Sequence, residues 1–436
     1  MSLRSQFRAP GRALAVGAVL MALSSSSFAQ EADHQHDAGG SEHQHGGVAG
    51  IPMTRDGSGT SWLPDESPMY ARHHMAGGWM LMLHSNVFLQ YLKETGDRGS
   101  GQVGSINWVM GMASHKAAGG QMMLRAMLSA EPATIDGCGY PNLLATGEEC
   151  DGEAIHDRQH PHDVFMEVAA QYTRPIGAGI NVQVYGGPAG EPALGPVAFM
   201  HRVSALSNPL APISHHWFDS THITYGVATL GFFARTWKVE GSAFNGREPD
   251  DTRTNFDLAA MDSWSARVWF MPTSHWAFQV SGGNLKEAEA GHDGGPRIDV
   301  DRLTASATFH RATLENTFWA TTLGWGQNVE SGEATNAALL ESSVTLRDRD
   351  AFYGRIEWSQ KSGHDLVVEP EENIFEVAKA QIGYARYLAA WKGWTPGIGA
   401  AVSAGLVPRA IESAYGNRVN AGFAVYLTLR PGAYQP

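Results

Sequence analysis

From residue 78 onward the side chains alternate with a period of two, in stretches of about ten residues separated by Gly- and Asp-rich breaks. The last stretch is the cleanest: Ala421, Phe423, Val425, Leu427 and Leu429 oppose Gly422, Ala424, Tyr426, Thr428 and Arg430. Leu303, Ala305, Ala307 and Phe309 oppose Arg302, Thr304, Ser306, Thr308 and His310 in the same manner, and Phe352, Ile356 and Trp358 oppose Tyr353, Arg355, Glu357 and Ser359. Successive β-carbons point to opposite faces of a strand, so each stretch makes a strand with one apolar and one polar side. By the same rule Ile106, Trp108, Met110 and Met112 share an apolar face, and Ile223, Tyr225 and Val227 turn away from His222 and Thr224.

About sixteen such stretches occur, from 79–90 through 220–234 to 420–430. Short connections at 117–119, 174–178, 235, 272–274, 312–314, 347–350 and 389–394 alternate with long, polar, Gly-rich ones. This predicts an all-β fold: a transmembrane antiparallel β-barrel of about 16 strands, with short periplasmic turns, long extracellular loops and both termini in the periplasm. A closed barrel leaves no edge strand and satisfies every backbone group in lipid. After residue 30 no apolar run is long enough for a membrane-spanning helix.

Ahead of the barrel, Arg4, Arg8 and Arg12 precede an apolar stretch at 13–23 and the small-x-small pattern Ser27-Phe28-Ala29, which predicts a signal peptide over 1–30 and a destination in the bacterial outer membrane. Residues 31–77 read as a flexible, His-rich periplasmic tail, and 78–436 as the barrel. The tail is too short for the plug domain of an energy-coupled receptor, and the barrel is expected as a monomer or homotrimer in outer-membrane lipid. Cys138 and Cys150 close a short acidic stretch, and in an oxidising compartment they are expected to form a disulfide. With 31 basic against 44 acidic side chains, the chain repels nucleic acid and attracts cations.

Fifteen of the 19 histidines precede residue 223, in clusters that invite a metal reading. The tail carries two His-x-His pairs, His34 with His36 and His43 with His45; neutral imidazoles so spaced can share a copper or zinc ion. A second group, His73, His74 and His84 with Met69, Met75, Met80 and Met82, mixes imidazole with thioethers that suit Cu(I) but also serve as ordinary strand packing. The third is the richest. His156, His160, His162 and Asp163 precede the fourth strand, and His215, His216, Asp219 and His222 precede the sixth, so both segments are expected at the extracellular mouth. The loop between the fifth and sixth strands, with His201 and Arg202, is expected to fold inward as a constriction. Together they offer enough donors for a three- or four-ligand site, or for a hydrogen-bond network that satisfies inward-folded backbone. Ser214 and Ser220 flank the His-His-Asp segment, but no Gly-x-Ser-x-Gly, His-Glu-x-x-His or phosphate loop is present.

The segments Gly104-Ser105-Ile106-Asn107-Trp108, His156 to Asp163, Gly195 to Arg202, Ser214-His215-His216-Trp217 and Phe244 to Asp250 resemble those of an uncharacterised proteobacterial outer-membrane β-barrel family. The resemblance runs from about Trp62 to Pro431 and implies the barrel and the importance of these loops, with no established activity. The tail resembles those of outer-membrane copper and zinc proteins. The functional expectation is binding or passage of divalent or transition-metal cations, copper or zinc ions foremost. The alternative is a general porin-like channel for small polar solutes with a structural histidine network, and a third reading is a surface lipid- or glycan-modifying enzyme.

Overall fold

A strand in lipid has no water to bond its backbone, so the wall must close on itself. The computed structural model describes residues 50–135, 138–145, 149–150, 153–154, 157–159, 161–289, 296–313 and 316–433. The signal segment, the tail histidines His34, His36, His43 and His45, and the loop histidines His156 and His160 lie outside them, as does the side chain of Cys150 and with it the expected bridge to Cys138.

The wall is β1 (Trp79–Glu94), β2 (Gly101–Ala117), β3 (Gly120–Leu128), β4 (Phe165–Gly177), β5 (Ile180–Ala189), β6 (Val227–Phe233), β7 (Trp237–Phe244), β8 (Ser263–Thr273), β9 (Trp276–Glu289), β10 (Ile298–Thr313), β11 (Thr317–Glu330), β12 (Glu333–Leu346), β13 (Asp350–Ser362), β14 (Ile374–Tyr387), β15 (Trp394–Leu406) and β16 (Val419–Pro431). Each pairs antiparallel with the next, and β16 closes on β1 in the register Val87↔Leu429 to Glu94↔Gly422, giving the expected closed barrel of 16 strands. Two-residue turns such as 118–119, with positive φ at both Ala118 and Gly119, have the handedness that matches strand twist. The alternation of loop lengths is not strict: at the long-loop end β11 and β12 are joined by Ser331 and Gly332 alone.

On β16 the exposed faces of Phe423, Val425, Leu427 and Leu429 and the buried Ala424, Tyr426, Thr428 and Arg430 fall as the dyad pattern requires. An apolar belt of this kind around a polar interior belongs in the bacterial outer membrane. Two strands depart from the expected faces: on β6 Val227 is buried inside while Ala228 and Leu230 face lipid, the reverse of the expected register. Ile106, Trp108 and Met110 of β2 face inward rather than toward lipid, because Phe199 and Met200 cluster with Trp108 and Met110 from within, and Tyr140 and Leu210 share a buried cluster with Ile106. The strand expected at 220–234 begins only at Val227; Ser220, Thr221 and His222 form a short 3₁₀ turn inside the barrel.

The described part of the expected tail, 50–77, is not a tail. Ala71–Ala76 is a strand on the lower edge of β1, pairing Ala71↔His84 to Ala76↔Trp79, and Tyr70 bridges to Ala433, so this strand covers an edge that β16 leaves bare. Residues 50–67 enter the lumen from the short-turn end and bury Trp62 and Leu63. Luminal cations hold this N-terminal insert: Arg125 donates to Gly59 O at 2.5 Å, Arg267 to Thr60 Oγ1 at 3.1 Å, and Lys238 to Thr60 O. At the short-turn end Glu66 pairs with His275 at 3.0 Å, and Ser67 accepts from His310 Nδ1 at 2.8 Å.

A second insert, 190–226, fills the lumen from the long-loop end, starting and finishing at the Gly190↔Thr224 bridge. The inserts meet where Ala198 N donates to Ser58 Oγ at 2.9 Å, and where Gly59, at φ +51°, lies so close to Glu191 that a β-carbon would come within 2.8 Å of it. Sixteen-stranded barrels usually enclose an aqueous channel. Here the inserts occupy the lumen, and cavities of about 100, 40 and 20 Å³ are among the spaces between the described residues.

Val425, at the middle of β16, is exposed to lipid. Val425→Arg is expected to cost ~2–4 kcal/mol of folding into bilayers, and Val425→Leu almost nothing. Heat-modifiable gel mobility of vesicle-folded protein checks this, and equal folding of the two variants contradicts the assigned face.

Candidate functional site: a histidine cluster clasped in the lumen

The second insert turns tightly because its residues bond their own backbone and the wall. Asp219 is the hub: its Oδ2 accepts from Phe199 N at 2.7 Å and Arg202 Nη1 at 2.8 Å, its Oδ1 faces His215 Nδ1 at 2.9 Å, and its backbone carbonyl faces His222 Nδ1 at 2.7 Å. Arg202 carries the connection outward, donating through Nε to Glu341 Oε1 of β12 at 2.7 Å. Glu341 Oε2 accepts from Arg355 of β13 at 3.0 Å, and Arg355 Nη1 returns to the insert at Leu210 O, 2.9 Å away. All four charged groups are buried.

His162 joins from the loop before β4. Glu131 Oε2 accepts from both its backbone N and its Nδ1 at 2.9 Å, while Glu131 Oε1 accepts from Asn107 N on β2. The rings of His162 and His215 lie 5.3 and 5.1 Å from that of His222, edge to face, and Phe199 packs within 6.0 Å of all three. In each histidine Nδ1 meets an oxygen acceptor, so the neutral ring carries its proton there and keeps its lone pair on Nε2. His222 Nε2 is buried and has no hydrogen-bond partner among the described residues.

Burial dominates the electrostatics. It lowers the pKa of His215, against the pull of Asp219, and that of His222 still further, helped by His215 and His162. Burial alone raises a carboxyl, yet Arg202 and then His215 outweigh it and hold Asp219 below the ordinary range. The resting cluster is therefore two neutral imidazoles on an ionised carboxylate that is itself neutralised by Arg202.

The structure thus brings together His162, His215, His222 and Asp219 from the sequence-derived set and separates the others. Asp163 lies 3.8 Å from Arg253, and burial raises it to about 6. His201 turns to a different cavity, its ring 4.8 Å from that of Trp108, and burial pushes it down to about 3. His216 points to the long-loop rim, its Nδ1 3.6 Å from Glu248 and 3.8 Å from Glu289. Among the described residues only His216, Glu248 and Glu289 bring three ligand atoms within 4.8 Å of one another; the nitrogens of His162, His215 and His222 are more widely set. The serines are engaged elsewhere: Ser214 Oγ donates to Glu357 at 2.7 Å, and Ser220 Oγ accepts from Arg302 at 2.9 Å, so neither forms a Ser-His pair. Glu131, Glu341, Glu248 and Glu289 carry no local signal in the sequence; only the Arg355 and Glu357 alternation hinted that charges line this part of the wall.

No protein-family model and no curated protein matches the chain. Among solved structures it is similar to a loop-deletion mutant of OmpT of Vibrio cholerae, at 8% identity and TM-score 0.47 over 80% of this chain and 99% of that one. The anion-selective porin from Comamonas acidovorans gives 9%, 0.48, 81% and 99%, and Salmonella typhi OmpF in complex with daunomycin 9%, 0.48, 82% and 100%. These values accompany the architecture described above and do not extend it.

Two outcomes follow from the clasp. Glu341→Ala strands Arg202 and Arg355 without their shared carboxylate, a change expected to cost about 3–5 kcal/mol. Limited proteolysis should then cut within 190–226 while the barrel keeps its heat-modifiable mobility; a protected insert contradicts the assignment. Lowered imidazole pKa values also set a pH dependence. Unfolded histidine takes up a proton near 6.5 and the folded cluster resists it, so the insert's stability is full above that pH and is lost as pH falls, with Asp219 adding to the loss in stronger acid. Melting curves should show a falling midpoint from pH 7 toward pH 4, and a rising midpoint contradicts buried neutral rings.

Proposed function

We propose that this chain is a porin-like outer-membrane barrel for small polar solutes, constricted in the form described here by its two inserts, with the histidine cluster serving as part of the clasp. The observation that carries this reading is the chemistry of the inner wall. Lys238, Arg267, Arg355 and Lys379 lie there with Glu94, Glu240, Glu341 and Glu357, all buried, the Lys379–Glu94 pair beneath Asn142 and Leu143 of the loop before β4 and the others beside the inserts. A wall that only ever met protein gains little from buried ion pairs, since well-packed apolar groups often serve as well or better. A wall that also faces water needs them. Among the described residues the wall strands bury eight basic side chains against five acidic ones, so passage is expected to lean toward anions.

The Gly190↔Thr224 bridge brings the ends of the second insert together, so a short linker spans them without straining the wall. Replacing 192–223 by a Gly-Ser linker is expected to raise single-channel conductance in planar bilayers at least several-fold over the native protein. A folded, heat-modifiable variant that conducts no better than the native protein overturns the reading.

One observation favours a second reading, the binding of a divalent cation: the grouping of His216, Glu248 and Glu289 at the rim. One imidazole and two carboxylates suit zinc or copper(II). Glu248→Gln with Glu289→Gln should lower Zn²⁺ affinity in calorimetry at least tenfold, and unchanged binding removes this reading.

A further inference from the structure

A cavity of about 100 Å³ lies between β1, β2 and both inserts. Six thioethers line it: Met53 from the N-terminal insert, Met69 from the segment that follows it, Met82 from β1, Met110 and Met112 from β2, and Met200 from the second insert. Two imidazoles, His84 and His201, turn into the same space, and among the described residues neither ring makes a hydrogen bond. Met200 and His201 also line a smaller cavity of about 20 Å³, where Met127 and Met166 continue the set and His222 presents its side chain. Eight of the chain's 16 methionines thus face two adjoining spaces that lead from the short-turn end to the histidine cluster.

Methionine is flexible and commonly fills irregular gaps in cores. Filling does not account for this site: the space stays open although flexible side chains surround it, and imidazoles share it. Three separate parts of the chain, the wall and both inserts, converge on one donor type.

We infer that this Met–His cavity binds a soft monovalent cation of the Cu(I) and Ag(I) class. Such ions take thioether sulfur and imidazole nitrogen; zinc shares the imidazole but is otherwise held by thiolate and carboxylate, and calcium by oxygen, so the thioethers set the preference. The N-terminal insert and the segment that follows it supply Met53 and Met69 at the end facing the periplasm, so the ion enters from that side, and Met200 and His201 connect it to the second space. The inference stands apart from solute passage: it requires only the constricted barrel.

The test uses Ag⁺ on the full-length protein in chloride-free buffer, with titration calorimetry and silver-edge X-ray absorption. The expected result is a site with at least two sulfur scatterers. The triple variant Met82→Leu, Met110→Leu and Met200→Leu nearly conserves volume, and it should lose at least tenfold in Ag⁺ affinity while Zn²⁺ binding stays as in the native protein. A silver shell of nitrogen and oxygen alone in the native protein, which the tail histidines would provide, overturns the inference whether or not the variant folds. Equal Ag⁺ affinity in a folded triple variant overturns it as well, and identifies the methionines as packing.

Discussion

One guanidinium holds the interior in place. Arg202 is 1% exposed and bonded to Glu341 on the wall and to Asp219 within its own insert. Taking these charges from water costs several kcal/mol per ion, and the cost is met only because each finds well-placed partners. Arg355 and Ser204 satisfy Glu341, while Phe199 N, His215 and Arg202 satisfy Asp219. From that network follow the tautomers of His215 and His222, the seat of Phe199 against three imidazoles, and the position of Met200 and His201 beside β2. The inserts depend on one another as well, through Ala198 and Ser58 and through the close approach of Gly59 to Glu191.

The wall was legible because lipid imposes a strict rule. Each lipid-facing position must be apolar and each neighbour points inward, so the alternation at 421–430 and 302–310 reads directly as strands, with faces that match the structure. The interior follows no such rule. Where an insert packs on the wall, the luminal face can itself be apolar, which is why Trp108 and Met110 read as lipid-facing and are not. The alternation around His222 predicts a strand, yet its backbone N–H bonds the Asp219 carbonyl at 3.1 Å and closes a 3₁₀ turn instead. The N-terminal segment looked like tail because short stretches rich in Gly, Ser and Pro show no period, and its order comes from luminal cations distant in sequence. Glu131 and Glu341 stayed hidden for the same reason: single acids among polar neighbours, whose meaning appears only when a partner 31 or 139 residues away arrives.

The same geometry redistributes the chemistry suggested by histidine-rich segments. Asp219, which a metal site would recruit, is committed to Arg202, and the cluster around it behaves as a clasp. Among the described residues, an imidazole and two carboxylates gather at His216, Glu248 and Glu289 at the rim, and thioethers line the cavity beside β1 and β2. A barrel wide enough for a channel thus holds a charged wall, an interior filled by the inserts and two chemically distinct groups of donors.

The central claim is that the second insert is part of the folded interior rather than a surface loop. Hydrogen-exchange mass spectrometry on the native protein in nanodiscs at pH 7 tests it most directly. The account predicts that peptides within 193–222 exchange as slowly as those of β12 and β13. Exchange at the rate of an exposed loop would contradict it.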